Sequence, residues 1–291
     1  MLYSLKPKFS VLLITGMVAL HSNAFADSLI APGAKLETLS TEFELADGPA
    51  WDGSSLWFPD VKGGTLYRYS PKNDKITVAV DEIGRISASF YKNGKLYLSD
   101  NGASSIAWLQ GNQKITIAGQ DPKAKPPARP NDLVVDNQGG IYYTLTGLGQ
   151  VIYIDPNGKQ KVAAEGIKTP NGITLSPDNR TLYVSAAAPK EIWAYQIKSP
   201  GNTGPGKILA VMDDGDAKAA DGMTIDSMGN IYCTGPTDVW IWSASGKLLD
   251  KIPTPERPIN CTFGDSDLRS LYITGFDGLH RIRMTVQGLA P

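Results

Sequence analysis

The chain has 291 residues, 42% of them hydrophobic and 20% charged, and a formal net charge of −1. That balance builds a large core, and it offers neither nucleic acid nor an anionic membrane surface a basic patch to bind. Thirty glycines, twenty prolines and the lack of long helical periodicity point to a turn-rich, all-β fold.

Residues 1–26 read as a cleaved secretory signal. Lys6 and Lys8 supply the positive start, residues 9–20 are mostly apolar, and Ala24-Phe-Ala26 is a small-x-small cleavage site. The apolar run is short for a bilayer span. Residues 27–291 are then expected to form one exported domain, periplasmic or secreted. Removing the two lysines takes the net charge from −1 to −3. No second apolar segment reads as transmembrane. The expected partner is a small molecule, and the expected state a monomer or weak homodimer.

Residues 35–40 look extended, and then one pattern recurs. An acidic or amide residue leads (Ser87 in the second copy), a short apolar strand follows, a tight turn reverses the chain, and a second strand returns. The copies begin at 47, 87, 131, 171, 221 and 260, each continued by one or two further strand-like runs. Asp47 and Asn131 lie two repeats and 84 residues apart, and the next spacings, to Asn171, Asp221 and Asn260, are 40, 50 and 39. A period near 40 with three or four short strands per unit is the signature of a β-propeller, here six-bladed. A β-sandwich has similar strands without the fixed period. The last repeat lacks a fourth strand, and residues 35–40 are expected to supply it, closing the ring and removing an open edge. The proline-rich residues 119–130 are a rigid surface connection or a lid over the channel.

In a propeller the first strand of each blade lines the central channel, so residues leading those strands meet at one mouth. Asp47, Asn131, Asn171 and Asp221 would bring two carboxylates and two amide carbonyls together. Each is also an ordinary turn residue; recurrence at one phase favours a site. Hard oxygen donors in this number suit Ca²⁺, with Mg²⁺, Mn²⁺ or Zn²⁺ as alternatives and a thiol-bound metal excluded.

Of the two histidines, His21 falls in the signal segment, which leaves His280 in a strand, where a packed or partly exposed imidazole is expected. A Ser-His-Asp or Cys-His site therefore has almost nothing to work with, and no nucleophile elbow, P-loop or dinucleotide fingerprint is present. Cys233 and Cys261 are either a disulfide, which export permits, or two buried thiols.

Several motifs, in order, carry a resemblance. They are Gly48-Pro-Ala-Trp51, Arg129-Pro-Asn-Asp132, Pro170-Asn-Gly-Ile173, Ala220-Asp-Gly-Met223 and Asn260-Cys-Thr-Phe-Gly264. The sequence resembles the senescence marker protein/gluconolactonase/luciferin-regenerating-enzyme family across nearly the whole mature chain. That resemblance implies a Ca²⁺-dependent six-bladed propeller that hydrolyses lactones. It implies Asp47, Asn131, Asn171 and Asp221 as metal ligands, and Arg129 with Asn131 as substrate contacts. Asp47 departs from the family's glutamate by one methylene. Leu145 and Ser87 depart from an aspartate and an asparagine, so the pocket differs. Asp221, with Asp47 second, is the expected proton acceptor for an attacking water. The alternatives are a phosphotriester or aryl-ester hydrolase on the same site, and a non-catalytic propeller that binds a sugar acid or a protein.

Overall fold

The structure is a computed structural model that describes residues 28–121, 123–213, 215, 220–276 and 278–291. The expected signal segment, residues 1–26, lies outside the described residues. Among the described residues no helix is long and apolar enough to cross a membrane.

A lone strand comes first, β1 (Glu37–Ser40). Blade 1 follows with β2 (Ala50–Trp51), β3 (Leu56–Asp60), β4 (Thr65–Ser70) and β5 (Lys75–Val80). Blade 2 holds β6 (Ile86–Lys92), β7 (Lys95–Asp100), β8 (Ser105–Gln110) and β9 (Gln113–Gly119). Blade 3 is β10 (Pro130–Val135), β11 (Ile141–Leu145), β12 (Gln150–Ile154) and β13 (Gln160–Glu165). Blade 4 is β14 (Pro170–Leu175), β15 (Thr181–Ala186), β16 (Glu191–Ser199) and β17 (Asn202–Val211). Blade 5 is β18 (Met223–Ile225), β19 (Ile231–Thr234), β20 (Asp238–Trp242) and β21 (Leu248–Pro253). Blade 6 is β22 (Pro258–Gly264), β23 (Ser270–Gly275) and β24 (Gly278–Arg283). Each of the six sheets has four antiparallel strands, and the last is ordered β1-β24-β23-β22. The six-bladed propeller expected from the repeats is the fold observed.

The tight reversals have a local cause. In Asp136 and again in Asp226, one carboxylate oxygen accepts backbone N–H groups two and four residues on, at 2.7–2.9 Å. This side-chain clamp makes the turn that returns the inner strand to its neighbour. Side chains alternate along each strand, so the two faces of every blade pack against adjacent blades. Tyr142, Val151 and Tyr153 of blade 3, for example, share a core with Ile173, Leu182, Val184 and Tyr195 of blade 4. Each such buried side chain contributes about 1.5–3 kcal/mol relative to exposure.

The inner strands neighbour one another in the ring β2, β6, β10, β14, β18, β22 and back to β2. Hydroxyls stitch that ring near one mouth. Thr144 donates to the Asn171 carbonyl at 2.6 Å, Ser185 to that of Asp221 at 2.7 Å, and Thr234 to that of Ile259 at 2.8 Å. All three lie within the last two residues of the second strand of one blade and hold the start of the inner strand of the next. Blade 2 is different. There Ser87 takes the Asn131 carbonyl at 2.6 Å, and the corresponding Ser99 hydroxyl is buried without a partner.

The ring closes through β1, which pairs with β24 (Glu37 opposite Arg281, Thr38 opposite His280). Arg281 donates to Glu37 at 2.7 Å, and Thr38 Oγ1 lies 3.0 Å from Nδ1 of the buried His280. Sequence periodicity missed two outer strands, β13 and β17. Both carry polar, exposed residues and a weak alternation, as outer edges tolerate; β17 even holds Pro205. Residues 126–127 pack on a short 3₁₀ turn, Thr146–Leu148, of their own blade, and Ala128 is buried. Cys233 and Cys261 are free, buried thiols, Cys233 in the core between blades 4 and 5 and Cys261 in that between blades 5 and 6.

Candidate active site

The leading residues converge because each lies at or just before the start of the innermost strand of its blade. Asp221 is buried, 9% exposed, and its carboxylate oxygen Oδ2 accepts from Arg257 at 2.6 Å. The Asn171 side chain also reaches Asp221. Asp47 is half-buried and accepts the Gly48 N–H at 2.7 Å. Its carboxyl faces Asp221, Asp132 and Asn260. Asp132 in turn accepts the Leu133 N–H at 2.8 Å and lies 3.4 Å from the Asn260 amide nitrogen. Three carboxylates and the carboxamides of Asn171 and Asn260 therefore share the upper channel.

Close backbone approach makes this possible. A Cβ on Gly222 would sit 2.0 Å from the Asn260 carboxamide carbon, and one on Gly172 only 2.3 Å from the Asp221 carbonyl oxygen. Glycine after the leading residue lets the neighbouring blade's polar side chain or backbone lie flush against the strand.

Electrostatics follow from enclosure. Burial pushes the Asp47 carboxyl well above the usual carboxylate range, and the Asp221 and Asp132 charges push it further. Burial raises Asp221 to about 6 despite the opposing pull of the Arg257 guanidinium and the Asn171 hydrogen bond. Asp132 is pushed up to about 7, again chiefly by burial, against its backbone and Asn260 hydrogen bonds. Enclosed together, the three carboxyls resist ionisation, and only for Asp221 does a contacting guanidinium, that of Arg257, oppose this among the described residues.

Of the residues singled out from the sequence, Asp47, Asn171 and Asp221 are brought together. Asn131 leads its strand beside Asp132, half-buried, with its carbonyl held by Ser87. Arg129 is exposed at the same mouth and makes no hydrogen bond or ion pair with the described residues. Sequence reasoning left Asp132, Asn260 and Arg257 out of the site. Asn260 occupied the same leading place as the chosen four. Asp132 stood where three of the other repeats carry glycine, which was a usable signal. Arg257 precedes its strand and belongs to no repeat motif.

Among the described residues no group of three or more His, Cys, Asp or Glu side chains is arranged to hold a metal ion. The implied ligand set is of another kind, two carboxylates with two carboxamides. That donor set fits a hard divalent cation: its atoms are oxygens, its carboxylates are enclosed and mutually repelling, and a guanidinium already sits on one of them.

The far mouth differs. There a cavity of about 250 Å³ is lined by Trp51, Phe90, Tyr91, Leu175, Ile225 and Phe263, three to five residues beyond the site along the inner strands, with residues 289–291 at its rim. It is the lower half of the same channel, where aromatic and aliphatic side chains alternate with polar ones such as Thr174, Thr224 and Thr262.

A six-bladed propeller with acid and amide groups at the starts of its inner strands defines a class of channel-mouth sites. The chain belongs to the SMP-30/gluconolactonase/LRE-like family, whose model matches residues 45–276. It is 26% identical to a gluconolactonase of Zymomonas mobilis over 90% of this chain and 85% of that protein. The solved structure of a gluconolactonase from Xanthomonas campestris superposes with a TM-score of 0.79 at 26% identity, over 88% of this chain and 91% of that one. A calcium-binding protein, regucalcin of Agrobacterium tumefaciens, shares the fold (TM-score 0.76, 16% identity, 88% and 95% covered).

Proposed function

We propose that this lactone hydrolase opens sugar lactones at the upper channel mouth, with a divalent cation, Ca²⁺ first among the candidates, held by Asp47, Asn131, Asn171 and Asp221. The observation that carries the reading is the enclosed Asp47–Asp221 pair, two carboxylates in one desolvated site with oxygen-donor amides around them. Gluconolactonase relatives at 26% identity over most of the chain supply the substrate class.

When bound, the cation would supply Lewis-acid polarisation of the lactone carbonyl. The chain's own residues do the rest. Asp221, with Asp47 second, accepts a proton from the water that attacks the carbonyl carbon, and the ring oxygen leaves as an alcohol once protonated. Asn131 and Arg129 orient substrate hydroxyls, and the Arg129 donors are taken by no other described group. Enclosure of the carboxyls in the channel strengthens each polar contact they make. We place this activity outside the cytoplasm, on the strength of the signal-like residues 1–26.

The test is ring opening of an aldonolactone panel by purified mature protein, followed as acid release with Ca²⁺, with EDTA, and after re-addition of each divalent metal. Chelator-sensitive hydrolysis is expected. Absence of turnover across the panel refutes lactone hydrolysis, and turnover indifferent to EDTA refutes the cation.

A further inference from the structure

Arg257 sits in the loop between β21 and β22, and its guanidinium lies 2.6 Å from Asp221 Oδ2. Its carbon is 5.9 Å from the centre of the Phe276 ring, which Lys62 also approaches, at 5.7 Å. Phe276 is 43% exposed, an aromatic platform at the mouth with cations on it. The Arg257 Nε–H is buried without a partner, so the guanidinium is held by Asp221 and the ring and leaves a donor unspent. The oxygen it covers belongs to a carboxylate that the proposed function assigns to cation binding. One anionic oxygen thus has two claimants of the same sign.

We propose that Arg257 is an internal counter-ion for Asp221, which it neutralises in the metal-free protein and yields to the divalent cation on loading, swinging back along the Phe276 platform. The inference rests on the cation-binding reading of the site. In the metal-free protein Arg257 keeps a desolvated carboxylate from standing unpaired, which would otherwise be strongly destabilising. In the loaded protein two positive groups on one carboxylate oxygen repel, so the pair opens. The freed guanidinium, with its five N–H donors and fork geometry, then lies beside the substrate position, suited to hydroxyl or carboxylate oxygens of the ligand. An internal competitor lowers apparent metal affinity by the stability of the pair it makes.

The experiment is Ca²⁺ titration by calorimetry of wild type, Arg257→Met and Lys62→Met, with thermal melts in EDTA and in excess Ca²⁺. Lys62 carries the same charge at the same platform without touching Asp221 in any described contact. Arg257→Met is expected to bind Ca²⁺ about tenfold more tightly, to melt lower than wild type in EDTA, and to gain more from Ca²⁺ than wild type gains. Lys62→Met is expected to match wild type within about twofold. Unchanged or weaker Ca²⁺ binding by Arg257→Met overturns the exchange and makes Arg257 a support that stays in place. Equal tightening by Lys62→Met overturns it too, since the effect is then a general field. No Ca²⁺ binding by any of the three overturns the cation reading, and the exchange with it. Wild-type binding with an unaltered variant overturns the exchange alone and leaves the cation reading standing.

Discussion

Replacing Asp132 by Asn is expected to stabilise the metal-free protein at alkaline pH and to do so far less in acid. Asp132 is buried, and its carboxyl is pushed from 3.8 to about 7, burial being the largest cause. A carboxyl raised on folding binds its proton more tightly folded than unfolded. Its contribution is therefore complete below the unfolded value near 3.8 and is lost as pH rises through about 7. At pH 8 the ionised group costs the folded state about 4 kcal/mol, since each tenfold gain in proton affinity is worth about 1.4 kcal/mol, and at pH 5 it costs under about 2 kcal/mol. The amide keeps the oxygen that accepts the Leu133 N–H. It sets an NH₂ against the Asn260 amide, at a cost of about 1 kcal/mol that is the same at both pH values. The advantage of the variant over wild type should thus shrink by about 2–3 kcal/mol between pH 8 and pH 5, or roughly 5–10 °C in melting temperature for a domain of this size. Circular-dichroism melts of both proteins in EDTA measure it, and their difference cancels every other titrating group that the substitution leaves alone. A variant advantage that is absent at pH 8, or equal at the two pH values, refutes the account of Asp132.

Two further outcomes follow from the packing. Gly222→Ala places a Cβ 2.0 Å from the Asn260 side chain, so β18 or Asn260 must move; a loss of at least about 2 kcal/mol of stability and most lactonase activity is expected, read by urea unfolding and acid release. A chain truncated before Phe43 loses β1 and bares the edge of β24. It should melt lower and associate through that edge, as light scattering and a melt would report, and a monomer of unchanged stability would refute closure by β1.

Much of the fold was legible because the propeller repeats itself. Strand alternation has a period of two and the blades a period near 40, so Gly229-Asn-Ile-Tyr232 and Leu271-Tyr-Ile-Thr274 announce the same element wherever they stand. Even the closing strand could be read, since residues 35–40 were the one extended segment left when the last blade lacked an edge. The outer strands β13 and β17 were not legible. Pairing with a neighbour, rather than an apolar pattern of their own, makes them strands.

The site divides in the same way. Asp47, Asn131, Asn171 and Asp221 each lie at or just before the start of an inner strand, and a position that recurs at one phase of the repeat is a property of the chain alone. The company those residues keep is not. Asp132 and Asn260 are 128 positions apart in sequence, and nothing local tells either side chain of the other; the ring of blades brings their polar atoms to 3.4 Å in one channel. Arg257 reaches Asp221 across 36 positions from a loop outside the repeat pattern. Sequence periodicity determined which residues face the channel. Closure of the ring decided which charges share it, because desolvation and Coulomb forces act through space, whatever the separation along the chain.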